Sequence, residues 1–356
     1  MSTELLLAGL FLLPPPVAAA AAAARAPEAE DALALLDESL DPPAAAYEGR
    51  LEVVEARGGG TERRLLAVRY APPGHYRRET LDRFGLPELT VLSDGQTEWT
   101  YDRRVGTAWR GPALERDRAW ADPDEERALL ADNYAVTLEG VETVAGRECR
   151  VLAVRPRRGG PPVQRLWRDA DRGLVLQRVV YAPGGAEVSR MRFQTVSYET
   201  SLKAADFRFR PPAGVRVVKA RPAPDALELD EAAKASDLVP RPAQWVPPGY
   251  VFESVALLPY RGATILHYRW SDGVDALSLF QAPPRVTVKP PPGGAPRKEK
   301  VGPADARLTL TQDGSALEWA ADGRFVLVGR LALDDLRRVA ASVPPAPASG
   351  RGPGTR

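Results

Sequence analysis

The clearest pattern in the chain runs over residues 86–101, LPELTVLSDGQTEWTY, where two alternating stretches flank Ser93-Asp94-Gly95-Gln96. Asp-Gly supplies the turn of a tight hairpin. On the outgoing arm Thr97, Trp99 and Tyr101 alternate with Glu98, Thr100 and Asp102. A period of two with one aromatic face is the mark of a half-buried β-strand. Similar arms at 47–56, 63–70 and 75–81 precede it, and another at 134–141 follows. Neighbouring hairpins of this kind must curl to bury one face.

Two helices interrupt the strands. Residues 28–40 put Leu33, Leu36 and Leu40 at helical spacing and end at Pro42-Pro43, which predicts an amphipathic helix lying on the sheet. Pro123 with Asp124, Glu125 and Glu126 opens a second helix over 124–133, the acids sitting where the helix dipole favours them. Strands resume at 134–141, 148–155, 162–168, 174–181 and 187–198, parted by Gly-containing turns. Arg recurs at alternate positions, as in Arg190 and Arg192, and marks the wet outer face. About ten strands and two helices in this order predict a mostly β, α+β fold. Its form is an open, unclosed antiparallel β-barrel with covering helices.

Residues 219–242 break the pattern with Pro and charge, around a short helix at 225–235. They read as a linker between a domain at 27–218 and a smaller β-rich domain at 243–343. The second domain shows strands at 250–258, 263–270, 274–281, 306–311, 316–320 and 324–331, then a C-terminal helix at 333–343. Residues 283–301, PPRVTVKPPPGGAPRKEKV, are too rich in Pro and Gly to pack, and 344–356 read as a disordered tail.

Composition narrows the address. The 356 residues carry a net charge of +1, so no global field attracts nucleic acid. Residues 1–26 hold an apolar run at 5–13 and an Ala tract, the layout of a secretory signal. The run is too short to span a membrane. Cys149 is the single cysteine, so no internal disulfide forms. An exported, soluble, periplasmic protein follows.

The catalytic search is nearly empty. His75, His267 and Cys149 are the only residues of their types, which excludes most His-based triads and zinc sites. No cofactor or metal motif is present, and the reading is a binding protein, not an enzyme. His267, mid-strand, reads as a packed or hydrogen-bonded structural group, His75 as exposed, and Cys149 as a half-buried strand residue. A curled sheet with one apolar face is a container. Phe84, Trp99, Tyr101 and Trp109 are candidates for lining an acyl-chain pocket, with Trp120 on a lid over 109–133. Arg103 and Arg104 are the candidate rim for a phosphate or carboxylate, because the guanidinium fork suits such anions.

The helix, the meander with SDGQTEWTYD, the lid helix and the second meander resemble the lipoprotein-carrier fold of the LolA/LolB type. The stretch Trp245-Val246-Pro247-Pro248-Gly249-Tyr250, the run from His267 to Gly273, and Leu277-Ser278-Leu279-Phe280 resemble the periplasmic sigma-E regulators of the MucB/RseB type. The resemblance covers residues 28–343 and implies a regulator docked on the periplasmic part of a membrane anti-sigma factor. It also implies a lipid or lipoprotein-like ligand that relieves the docking. Arg285, Lys289, Arg297, Lys298 and Lys300 are the candidate contacts for an acidic stretch of that partner. Two alternatives stand beside this one: a plain periplasmic lipoprotein carrier, for which the first domain suffices, and an enzyme acting on envelope polymers. The sequence leaves open whether the chain forms a homo-oligomer.

Overall fold

The computed structural model describes residues 27–40, 43–57, 60–113, 123–220, 225–260, 262–288, 294–311 and 314–346. The expected signal at 1–26 and the tail beyond 346 lie outside the described residues. The chain divides into two units, residues 1–223 and 224–356.

The first unit is built on one 12-stranded sheet. In chain order it runs α1 (Pro27–Leu40), β1 (Tyr47–Arg57), β2 (Gly60–Ala71), β3 (His75–Leu81), β4 (Pro87–Asp94), β5 (Thr97–Asp102) and β6 (Thr107–Pro112). Then come α2 (Pro123–Asn133), β7 (Tyr134–Val144), β8 (Arg147–Pro156), β9 (Gln164–Asp169), β10 (Val175–Tyr181), β11 (Glu187–Ser197), a short 3-10 turn (Ala204–Phe207) and β12 (Arg216–Lys219). The strand order is β12-β6-β5-β4-β3-β2-β1-β11-β10-β9-β8-β7, with no pairing between the two ends. β7 also approaches β11, so that end of the sheet curls. The sheet is antiparallel except where β12 lies parallel to β6. Two elements differ from the sequence reading. Residues 107–112 form a strand where a lid was expected, and β12 joins the edge, which raises the expected ten or so strands to twelve.

Turn chemistry sets the hairpins. At β4–β5 only Gly95 takes a positive φ, 87°. Asp94 instead accepts hydrogen bonds from the backbone N–H of Gln96 at 3.1 Å and Thr97 at 2.8 Å. Between β7 and β8, Ala145 and Gly146 both take positive φ, 50° and 74°, the two-residue turn whose twist matches its strands. The α1 stripe buries Ala32 and Leu36, and both α1 and α2 pack on β7. Arg168 reaches Glu38 at 2.6 Å and Arg127 reaches Asp37 at 3.3 Å, tying α1 to β9 and to α2.

Deep in this unit Asp169 is fully buried. It accepts hydrogen bonds from Arg147 Nε at 3.0 Å and Tyr198 Oη at 2.8 Å. The backbone N–H groups of Asp171 and Arg172 complete its partners. Burial pushes its carboxyl up, but these donors outweigh that and hold it below the usual carboxylate range. Cys149 is buried beside it, deeper than the half-burial expected, and its thiol is pushed up to about 11 mainly by burial.

The second unit holds α3 (Leu229–Ala235), β13 (Val251–Tyr260), β14 (Ala263–Ser271), β15 (Ala276–Ala282), β16 (Arg297–Val301), β17 (Ala304–Thr311), β18 (Gly314–Ala320), β19 (Arg324–Gly329) and α4 (Leu333–Ala341). Its seven strands are ordered β13-β14-β15-β19-β18-β17-β16. Tyr268, Leu279, Leu317, Phe325, Leu336 and Val339 share one core. Residues 225–245 lie within this unit: Leu227 bridges Val255, and the Arg241 N–H donates to Tyr268 Oη at 2.8 Å. The described parts of the 283–301 segment, residues 283–288 and 294–301, are not the unpacked loop expected from its Pro and Gly. Val286 and Val288 are buried against Ile265, Ala282 and Val326, and 297–301 form the edge strand β16, paired with β17.

Candidate binding site

Residues paired across antiparallel strands point to the same side, so the register of β1–β6 sorts their side chains into two faces. One face carries Tyr47, Leu51, Leu66, Val68, Tyr70, Tyr76, Arg78, Leu89, Val91, Thr100 and Trp109. The other carries His75, Arg77, Glu79, Thr90, Leu92, Trp99, Tyr101 and Ala108.

The second face is covered by the stretch that follows β11. The Phe209 ring lies 5.3 Å from Trp99 and 5.4 Å from Tyr101. Phe207 is buried 5.5 Å from the His75 ring. Arg77, paired with Glu79 at 2.6 Å, donates to the Asp206 carbonyl at 3.4 Å. His75, expected to be exposed, is half-buried with its Nδ1 2.9 Å from the Pro73 carbonyl. Trp99 and Tyr101 therefore belong to a packed layer.

Trp109 stands on the opposite face, opposite Thr100 of β5. That face is aromatic along its length. Tyr47 stacks on Tyr70 at 5.5 Å and meets Phe193 edge-on at 6.0 Å. Burial pushes the Tyr47 hydroxyl up to about 12, with Tyr70 adding to it. Tyr76 donates to Glu98, and the Arg78 guanidinium sits 5.1 Å over the Tyr76 ring. Leu66, Tyr70, Tyr76, Leu89, Val91 and Trp109 are all only half-buried, so this face offers apolar surface that the described residues do not fully cover. Trp120 and residues 114–122 of the expected lid lie outside the described residues.

Phe84 is elsewhere, at the turn between β3 and β4, 72% exposed with the Arg83 guanidinium 4.7 Å from its ring. Arg103 and Arg104 lie on the neighbouring β5–β6 turn. Arg103 pairs with Asp82, and Arg104 with Glu88 at 3.2 Å. A cleft of about 440 Å³ beside Phe84 is lined by Glu62, Arg63, Arg64, Thr80, Leu81, Asp82, Arg83 and Glu88, a polar set. The five aromatic candidates thus do not converge: two sit under Phe209, Trp109 faces away from them, Phe84 marks one end of the sheet, and Trp120 is not described. Sequence reasoning missed Tyr47, Tyr70 and Tyr76 on the Trp109 face, although their period-two placement in adjacent arms was readable.

In the second unit Arg285 is exposed in the turn after β15, while Lys289 lies outside the described residues. Arg297, Lys298 and Lys300 are exposed on β16. Between them Glu299 accepts from Arg337 Nη2 of α4 at 2.7 Å, and Val301 is buried. Lys300 pairs with Asp305 at 2.8 Å. An all-charged sequence serves here because an edge strand must discourage further pairing, and Lys does so. His267 stacks on Phe280 with ring centroids 4.3 Å apart, its Nε2 3.0 Å from Ser278 Oγ. Burial, with nearby Arg269, pushes it down to about 3, so it is neutral at physiological pH. No cluster of three or more metal-ligating side chains occurs among the described residues, and none of their helices is long and apolar enough to cross a membrane.

Residues 91–211, from β4 into the stretch after the 3-10 turn, match the family of the MucB/RseB N-terminal domain. The sigma factor AlgU regulatory protein MucB of Pseudomonas aeruginosa is 25% identical over 296 residues, 82% of this chain and 84% of that protein. That alignment is longer than either unit and so spans both. The solved complex of P. aeruginosa MucA and MucB contains a chain similar in fold, with a TM-score of 0.55 at 21% identity over 89% of this chain and all of that one. A second structure, MucB in complex with MucA(peri), gives 0.54 at 22% identity over 90% of this chain and all of that one. Residues 91–211 are thus similar to the MucB/RseB N-terminal domain, and the chain is similar in sequence to MucB over most of its length.

Proposed function

We propose that this chain is an exported regulatory binding protein of the periplasm. It docks on the periplasmic part of a membrane anti-sigma factor and holds an acylated, lipid or lipoprotein-like ligand in its first unit. The observation that carries the docking is the alignment with a sigma-factor regulatory protein across both units. A plain carrier needs the first unit alone, and the second unit is retained in the match. The two solved MucB complexes, which pair that protein with MucA, support the same partner class.

The partner surface assigned to the second unit is its basic edge strand β16, with the turn after β15 that bears Arg285 as a separate further contact. Arg285, Arg297 and Lys298 are exposed and have no carboxylate partner among the ion pairs of the described residues, and Lys289 and Lys300 extend the same segment. An acidic stretch of the partner is drawn to such an edge, and salt screens the attraction over a Debye length of roughly 8 Å. The acyl chain is assigned to the Trp109 face, where each methylene removed from water contributes about 0.8 kcal/mol.

The test is capture of the periplasmic segment of a single-span anti-sigma factor encoded beside a sigma factor, using the full mature chain. Capture is expected, and it should weaken on the order of tenfold in Arg285→Glu/Arg297→Glu/Lys298→Glu. Unchanged capture by the reversed variant would move the contact to another surface, and no capture by the wild type would remove the docking reading.

A further inference from the structure

The sheet end that bears Phe84 has a composition that neither docking on a protein nor holding a ligand inside the unit uses. Phe84 is 72% exposed, Leu86 52% and Val105 59%. All three sit on two adjacent turns, 82–86 and 103–106, at one end of β3–β6. Single exposed apolar residues are ordinary, but three on neighbouring turn tips form a patch.

The turns are held rigidly outward. Asp82 accepts hydrogen bonds from the backbone N–H of Phe84 at 2.9 Å and Leu86 at 3.0 Å. Arg103 pairs with the same carboxylate, and its backbone N–H donates to the Glu88 carbonyl at 2.9 Å. Asp102 caps the second turn through the Arg104 N–H at 2.8 Å. With their backbones fixed this way, the apolar tips cannot fold back onto the sheet.

The charge around them is sorted by depth. The Asp82 and Glu88 side chains are 18% and 31% exposed, whereas Arg103 and Arg104, their partners, are 41% and 67% exposed. Arg83 is exposed over the Phe84 ring, and the Arg63 side chain on the flanking arm is 72% exposed. The outer layer is therefore cationic and the carboxylates lie behind it. Convex apolar tips ringed by arginine fit a fluid anionic surface, because lipid closes around a protrusion that a protein partner would have to match with a preformed hollow. Near an anionic leaflet each arginine adds attraction of its own.

We propose that turns 82–86 and 103–106 form a membrane-contacting tip, inserting Phe84, Leu86 and Val105 into the interface of an anionic bilayer. The tip is separate from the Trp109 face and does not need a ligand there.

Sedimentation of the full mature chain with phosphatidylcholine vesicles, with and without phosphatidylglycerol, tests this. Binding is expected only to the anionic vesicles, and Phe84→Ser/Leu86→Ser/Val105→Ser should weaken it on the order of tenfold or more. The reporter variant Phe84→Trp should shift its emission to the blue and be quenched by brominated lipid. These substitutions fall on exposed turn tips, and circular dichroism checks the fold. No binding by the wild type, or equal binding by the triple-serine variant, would overturn the proposal; the latter would mean that single lipids are drawn into the first unit. An unquenched Trp at 84 on bound protein would overturn it as well.

Discussion

Asp169→Ala should lower the stability of the first unit by about 3 kcal/mol, the low end of the cost of removing one partner from a buried charged pair. The carboxylate is fully buried and serves Arg147, Tyr198 and two backbone N–H groups at once. Arg147 reaches solvent in part, with a side chain 32% exposed, which keeps the cost from rising further. Asp169→Asn should recover little, because an amide cannot accept from all these donors. A pH dependence follows from the lowered carboxyl. Its contribution to stability is present above the unfolded carboxylate range, near 3.8, and is lost as pH falls through the folded value. The wild type should therefore lose stability more steeply than Asp169→Asn below that range. Urea denaturation followed by circular dichroism reads both effects. A loss smaller than about 1 kcal/mol in Asp169→Ala would show that its donors find water without cost.

The two central tryptophans should behave in opposite ways. Trp99→Ala removes a half-buried ring from Phe209 at 5.3 Å and from under the Arg110 guanidinium at 5.6 Å. It should cost about 2–3 kcal/mol of stability, short of the full core value because the ring is only half-buried. Trp109→Glu puts a charge on the face assigned to the acyl chain, and no aromatic ring stacks on Trp109 among the described residues. It should cost the fold less and weaken uptake of a fluorescent fatty acid on the order of tenfold or more. Thermal unfolding and fluorescence titration on the same samples separate the two effects. If Trp109→Glu binds normally while a folded Trp99→Ala does not, the ligand lies under Phe209 instead.

The hairpins were legible because their signals are local. Asp94-Gly95, Ala145-Gly146 and Asp272-Gly273 each mark a turn between alternating arms, and strands stand on both sides of each. Three strands were not. Residues 107–112 end in Gly111-Pro112 and carry too short an alternation to stand out. β12 exists only through its parallel pairing with β6, between residues about a hundred positions apart, and no local pattern encodes that. β16 is written as Arg297-Lys298-Glu299-Lys300 and reads as a solvated loop, yet charge is what protects an edge strand. The candidate site was blurred for a related reason. Alternation shows that Trp99 and Tyr101 share a face, but it cannot show that Phe207 and Phe209, over a hundred residues later, come back to cover it. Trp109, one strand on, looks like a neighbour in sequence and points to the other side.

Whether the chain docks on an anti-sigma factor is read by calorimetric titration of the full mature chain with that factor's periplasmic segment. The expected result is saturable binding that weakens as salt is raised and is reversed when an acylated ligand is added. Absence of heat and of a co-migrating complex, at concentrations where the chain remains folded, would contradict it.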